Sequence, residues 1–382
     1  MKTKQLTLSL LMVGTLLLSG SLSSCGNKGP LTHSNVLISE VVEGSDFNQA
    51  VELYNMSDKD ISLKGYSLGI FYNGEKTPKT TVELEGTIKP QSTFIISHPK
   101  ADEEIISKSG QTSESLFYRG NQPIALMKGN KIIDIVGYIG HTDAMIQDVS
   151  LVRKTSHFES RSEWDEYDWI RYNEDNLKYL GNIDNSVTNI EMMEGPRIDP
   201  KFFEQSFIDE TNDALGGGGF IDVTLYAGVD GDTAKFNYPA STGIQNGTKV
   251  RFQNINTPES YTANVMPWGI PAKFWTTEQL EQAGDIKLQS LDGGLLRDTF
   301  ERLLGWVWVD GRLLNYEIVK NGYSEIHFGT VDNMLYKDIS YTSWLYDAQL
   351  QAKQKGKAIW GEKDPYWDYE KNESTYDGYF EI

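Results

Sequence analysis

The rhythm of the first half of this chain constrains its fold more than any other feature. Apolar residues come there in short runs, at 36–42, 50–54, 66–72, 94–97, 123–127, 132–138 and 150–153. Turn formers such as Asn73-Gly74, Lys89-Pro90 and Lys128-Gly129-Asn130 divide them. No long stretch there keeps the 3.6-residue period of a helix. Short runs at close spacing bury their apolar faces as strands, so the pattern predicts an all-β sandwich. A chain of 382 residues is too long for one ordinary core, and a second folded unit is expected.

That unit begins near Phe220. Strands are expected at 221–225, 233–237, 249–254, 286–291 and 303–309, and helices at 273–282, 313–320 and 341–355. Asn321-Gly322 is a helix stop signal. In the last helix Trp344, Leu345, Ala348 and Ala352 share one face. Five strands with about three helices in this order suit an α+β barrel of the OB type. The boundaries expected are a leader at 26–34, the sandwich at 35–181, a linker at 182–218, the barrel at 219–367 and an acidic tail at 368–382. Pro196, Pro200 and the run Gly216-Gly217-Gly218-Gly219 mark the linker as loose, with Phe202, Phe203 and Phe207 free to pack on a neighbour. The tail reads as loosely ordered.

Residues 1–25 read as an address. Lys2 and Lys4 precede an apolar run at 6–18 that is too short to span a bilayer. It ends in Leu22-Ser23-Ser24-Cys25, which resembles a bacterial lipobox, and Cys25 is the chain's single cysteine. The resemblance implies cleavage before Cys25, lipidation of that residue, and a mature protein anchored on the extracellular face of the cell membrane. The competing reading is an ordinary signal peptide with a chance cysteine. A single cysteine excludes an internal disulfide and a thiolate metal cluster.

The chemistry lies in an ordered series. Asp230-Gly231-Asp232-Thr233 is followed by Val250-Arg251, then Asn256-Thr257-Pro258-Glu259, then Asp298-Thr299-Phe300-Glu301-Arg302 before the aromatic strand Gly305-Trp306-Val307-Trp308. Asp-Gly-Asp alone makes ordinary turns. In this order, with Trp268-Gly269 between and Ile359-Trp360 after, the series resembles a staphylococcal-nuclease-type (thermonuclease) domain over nearly all of 220–367. The first half resembles a lamin-tail domain, an immunoglobulin-like sandwich. That rests on Ile38-Ser39-Glu40-Val41, Val51-Glu52-Leu53-Tyr54-Asn55, residues 61–68, and Val149-Ser150-Leu151-Val152-Arg153. No catalytic constellation is legible in that half, and its partner is left unassigned.

The nuclease resemblance implies an enzyme that hydrolyses phosphodiester bonds in DNA, RNA or both, single- or double-stranded, with little sequence preference and with Ca²⁺. Arg251 and Arg302 are then the guanidiniums that meet charge on the transition-state phosphate, because they are planar, permanently ionised and bidentate. Glu259 positions or deprotonates the attacking water. Asp232, Asn256 and the Thr257 carbonyl hold the metal, with Asp230 acting through water. Phe300 and Phe328 offer stacking surface to bases. Two departures stand out. The prototype has Asp where this chain has Asn256, which removes a charge from the metal site. The family's Gly before the second arginine is Glu301 here, a carboxylate placed to pair with Arg302.

The chain's net charge of −19 opposes a generic grip on nucleic acid. Between residues 220 and 367, however, 14 Lys and Arg stand against 18 Asp and Glu, so most of the excess lies elsewhere. Two rivals stay open: a catalytically weak nucleic-acid- or protein-binding lipoprotein on the same barrel, and a purely structural surface protein.

Overall fold

The computed structural model describes residues 30–142, 146–183, 195–261, 264–327 and 334–376. Cys25 and Phe328 lie outside them.

The first unit is a sandwich of two sheets. One carries β1 (Val36–Glu43), β2 (Gln49–Asn55), β5 (Thr93–Ser97), β8 (Val149–Arg153) and β9 (Trp169–Asn173) in the order β9-β8-β1-β2-β5, with residues Gln111–Thr112 at its edge. The other carries β3 (Tyr66–Ile70), β4 (Thr80–Glu83), β6 (Ile124–Lys128) and β7 (Lys131–Val136) in the order β7-β6-β3-β4. Ile38, Val51, Leu53, Leu68, Ile96, Leu126, Ile135 and Leu151 fill the space between the sheets. A short helix α1, Glu103–Lys108, follows β5.

Glu40 and Glu52 face each other across β1 and β2, and both are buried. Ser39 Oγ and the Gly181 amide donate to Glu52, each at 2.6 Å, whereas Glu40 Oε1 has no hydrogen-bond partner among the described residues. Burial pushes Glu52 up to about 7, and burial plus the charge of Glu52 pushes Glu40 well above the usual range. The folded chain therefore holds protons that the unfolded chain releases near pH 4.5. Stability from Glu52 is complete below that pH and is lost as pH rises through 7, on the order of 3 kcal/mol. Glu40→Gln removes one of the two like charges and gives the pair an amide donor. Urea unfolding at pH 6 and pH 8 is expected to show the wild type losing stability at the higher pH and the variant losing much less. Equal losses would mean the pair does not titrate in this range.

The second unit is a closed five-stranded barrel. Its strands are β10 (Phe220–Asp230), β11 (Thr233–Asn237), β12 (Thr248–Phe252), β13 (Ile286–Gln289) and β14 (Leu303–Val309). β10 pairs with both β11 and β13, β11 with β12, and β13 with β14. A parallel pairing of β12 with β14 closes the ring. β10 serves two neighbours because its register shifts after Leu225 and again after Gly228, bends of the kind that close barrels. Phe236, Val250, Phe252, Leu288, Trp306 and Trp308 form the core. Helices α2 (Gly269–Glu281), α3 (Leu314–Lys320) and α4 (Tyr341–Gln354) surround it. α3 stops at Asn321, and Gly322 adopts φ 79°. The expected α4 face, Trp344, Leu345, Ala348 and Ala352, is buried.

Among the described residues, parts of two segments expected to be loose are packed. Phe202 and Phe207 are buried in the barrel's core cluster. The four glycines thread between residues 205–207 and 290–294: Gly216 N donates to Gly294 O at 2.8 Å and Gly219 N to Ser206 O at 3.0 Å. A Cβ at Gly216 would lie 2.5 Å from the Leu291 carbonyl oxygen. These glycines serve close backbone approach, not flexibility. In the tail, Trp367–Asp368 pairs with Glu373–Ser374, and Tyr376 packs edge-on against Phe274 of α2.

The two units share a seam. Val152, Ile170, Tyr172 and Tyr179 join the same cluster as Trp344, Leu345 and Ala348 of α4. Lys154 pairs with Asp347 at 3.3 Å, and Arg171 stacks 4.3 Å from the Tyr346 ring.

Candidate active site

The site forms where the tight turn between β10 and β11 meets the segment that follows β12. Asp230 and Thr233 are the last register pair of β10 and β11, with Gly231 and Asp232 between them. Gly231 is needed for close approach: a Cβ there would lie 2.7 Å from Thr257 Oγ1, 2.8 Å from Thr257 Cγ2 and 2.9 Å from Ala272 Cβ. Thr276 Oγ1 of α2 donates to the Gly231 carbonyl at 2.8 Å, which locks the turn against the helix.

Asp232 is the hub. Its Oδ2 accepts from the Thr257 amide at 2.7 Å and from Thr257 Oγ1 at 3.1 Å, and its Oδ1 accepts from Thr233 Oγ1 at 3.0 Å. Arg251 Nη1 pairs with the same Oδ2, while Arg251 Nη2 donates to Asn256 Oδ1 at 2.8 Å. One guanidinium therefore bridges the carboxylate and the amide. Asp230 Oδ1 accepts from the Gly231 amide at 2.8 Å, and Ser260 also hydrogen-bonds Asp230. Burial, then the charge of Asp232, push Asp230 up to about 7, and Glu259 adds to the rise. Glu259 is thus within electrostatic reach of Asp230; it is exposed, in the loop after Ile255–Asn256.

The parallel closure pairs Arg251 with Leu304, and Arg302 stands immediately before β14, two residues ahead of that partner. The carboxylate that holds Arg302 is Asp298, not the expected Glu301: Nε donates to Asp298 Oδ2 at 2.7 Å and Nη2 approaches the same oxygen at 2.6 Å. Glu301 instead sits at φ 61°, the left-handed region that glycine adopts without strain. The family's glycine there thus has a backbone reason. Phe300 is 78% exposed, with its ring 5.5 Å from the Arg302 guanidinium. Sequence reading assigned no role to Asp298 or Ser260. Asp298 had a signal, as it stands four residues before an arginine in the motif.

The donors around Asp232 are carboxylate, amide and hydroxyl oxygens, the set that a hard divalent cation takes. Among the described residues no three His, Cys, Asp or Glu side chains converge as a metal-binding group, so any such site depends on the neutral donors Asn256 and Thr257. Burial and then the charge of Asp232 raise Asp230, a cost that a cation held beside the two carboxylates would relieve. Asp232 Oδ2 and Asn256 Oδ1 are also the atoms Arg251 holds, so metal and guanidinium share partners.

Residues 30–140 match the family described as Lamin Tail Domain, and residues 249–362 match the family described as Staphylococcal nuclease homologue. The chain is similar to three proteins of Bacillus subtilis strain 168. SPbeta prophage-derived endonuclease YokF is 33% identical over 142 residues, covering 37% of this chain and 44% of YokF. Endonuclease YncB is 33% identical over 144 residues, covering 37% of this chain and 62% of YncB. Endonuclease YhcR is 33% identical over 146 residues, covering 36% of this chain and 11% of YhcR. The chain spans less than two thirds of the length of each of these relatives.

Proposed function

We propose that this chain, which joins a lamin-tail-type domain to a staphylococcal-nuclease-type domain, is a Ca²⁺-dependent nuclease. It hydrolyses phosphodiester bonds of DNA or RNA with little sequence preference, on the extracellular face of the cell membrane, held there by lipid on Cys25. The observation that carries the reading is the Arg251 guanidinium. It is fixed by Asp232 and Asn256, and its strand β12 pairs in parallel with β14, which Arg302 immediately precedes. Likeness to proteins named endonucleases supports it.

A phosphodiester gathers negative charge on its equatorial oxygens as it is attacked. Arg251 and Arg302 supply permanent charge and forked donors at that point, and the carboxylates of Asp232 and Asp298 hold them in place. Asp298 keeps the Arg302 fork oriented until phosphate competes for it. Glu259 is exposed to solvent and takes a proton from the attacking water. Phe300 offers its face to a base. Asp232, Asn256 and Thr257, with Asp230 through water, would hold Ca²⁺, which supplies Lewis acidity at the phosphate.

A full-length preparation is assayed on single- and double-stranded DNA and on RNA, with Ca²⁺ and with chelator. Clearing that chelator abolishes and Ca²⁺ restores is the expected result; none under any condition would leave the binding-module rival standing. Asn256→Asp returns one negative charge to the ligand set, and Ca²⁺ affinity is expected to rise roughly tenfold. A calorimetric titration showing no change would remove position 256 from the metal site.

A further inference from the structure

Beyond the catalytic turn, the outer face of β11 and β12 carries a charge arrangement that the reaction at Arg251 does not use. Lys235 and Lys249 are direct register partners across these strands. Like charges directly opposite each other in a sheet are destabilising. Among the described residues neither lysine makes an ion pair. The core face of both strands is taken by Ala234, Phe236, Val250 and Phe252, so the lysines point outward on the side of Arg251. Lys249 precedes Arg251 by two residues, about 7 Å along the strand, comparable to one nucleotide step of an extended single strand.

A second observation lies beside the first. Tyr226 of β10 is 60% exposed, at the point where the β10 register shifts between Leu225 and Ala227. Ala227 pairs with Lys235, and a Cβ at Gly247, just before β12, would lie 3.9 Å from the Tyr226 ring. The ring thus lies over the same wall as the two lysines. An aromatic face next to ammonium groups without a carboxylate partner is the composition of a single-strand binding track.

We infer that Lys235, Lys249 and Tyr226 form a nucleotide subsite adjoining the scissile position, in which the lysine pair seats a backbone phosphate and Tyr226 stacks the attached base. The inference rests on the nuclease reading for what occupies the neighbouring Arg251 position. It assigns the ligand as single-stranded nucleic acid, because a stacked base must be unpaired.

The experiment uses the full chain in chelator, so that nothing turns over, with a fluorescein-labelled 20-nucleotide DNA strand read by anisotropy from low to moderate salt. For Lys235→Ala/Lys249→Ala, Kd is expected to rise about tenfold. The slope of log Kd against log salt is expected to shrink by about 0.7, the share of one phosphate that the lysine pair no longer neutralises. The single Lys235→Gln and Lys249→Gln variants, which preserve the stem packing, are expected to fall between. Tyr226→Ala is expected to weaken binding without changing the slope, and Tyr226→Phe to restore it. An unchanged slope in the double variant overturns the proposal, as does equal binding by Tyr226→Ala and wild type. Cleavage with Ca²⁺ is measured on the same preparations. Lysine-dependent binding without any cleavage by the wild type leaves the subsite standing and removes the nuclease reading. Cleavage by the wild type with a slope indifferent to the lysines does the reverse.

Discussion

Arg251→Ala is expected to lower phosphodiester cleavage by at least about 10³-fold, with the loss in kcat rather than KM. Two effects add in one direction. The guanidinium that meets transition-state charge is gone, and the bridge between Asp232 and Asn256 goes with it. Asp232 would still accept three hydrogen bonds from Thr233 and Thr257, so the turn is expected to keep its shape. Thermal unfolding is therefore expected to move by no more than a few degrees. Arg251→Lys should not rescue, because one ammonium cannot span a carboxylate and an amide as a planar fork does. Steady-state kinetics with a KM change and an intact kcat would take Arg251 out of the chemistry.

Gly231→Ala is expected to be nearly as damaging by another route. The added methyl meets Thr257 and Ala272 within 3 Å, and both sit on segments held by hydrogen bonds of their own. Relief requires moving the turn that carries Asp230 and Asp232 away from either α2 or Thr257. Overpacking of this kind costs about 1–3 kcal/mol, and a displacement near 1 Å at reacting groups costs roughly 10²-fold in rate. Urea unfolding and cleavage assays on one preparation test both halves. A variant with wild-type activity would mean the turn need not be held against α2.

How far the sequence could be read depended on how local the cause was. The strands around Trp306 and Trp308, the α4 face and the α3 stop were legible because neighbouring residues decide them. β10 runs on to Asp230, well past the alternating stretch, because its two bulges and two partners are set by barrel closure, which local pattern does not encode. The four glycines mislead for the same reason. Composition reports conformational freedom, and only the fold reveals that another backbone passes alongside at van der Waals range. At the site, the motif order named Asp232, Arg251 and Asn256, and the structure places them in one hydrogen-bonded unit. Motif order could not name Asp298 as the partner of Arg302, since adjacency in sequence pointed to Glu301. Glu259 is within electrostatic reach of Asp230, and Arg302 stands immediately before the strand that pairs with that of Arg251.

The parallel seam between β12 and β14 has a temporal consequence. Arg251 lies on β12 and Arg302 just ahead of β14, with α2 and β13 between them in the chain, and the two strands meet only when the last one docks. A nascent chain that has released its first three barrel strands owns one guanidinium and half a ring. On the proposed nuclease reading, activity is therefore expected to arrive abruptly, at the end of folding.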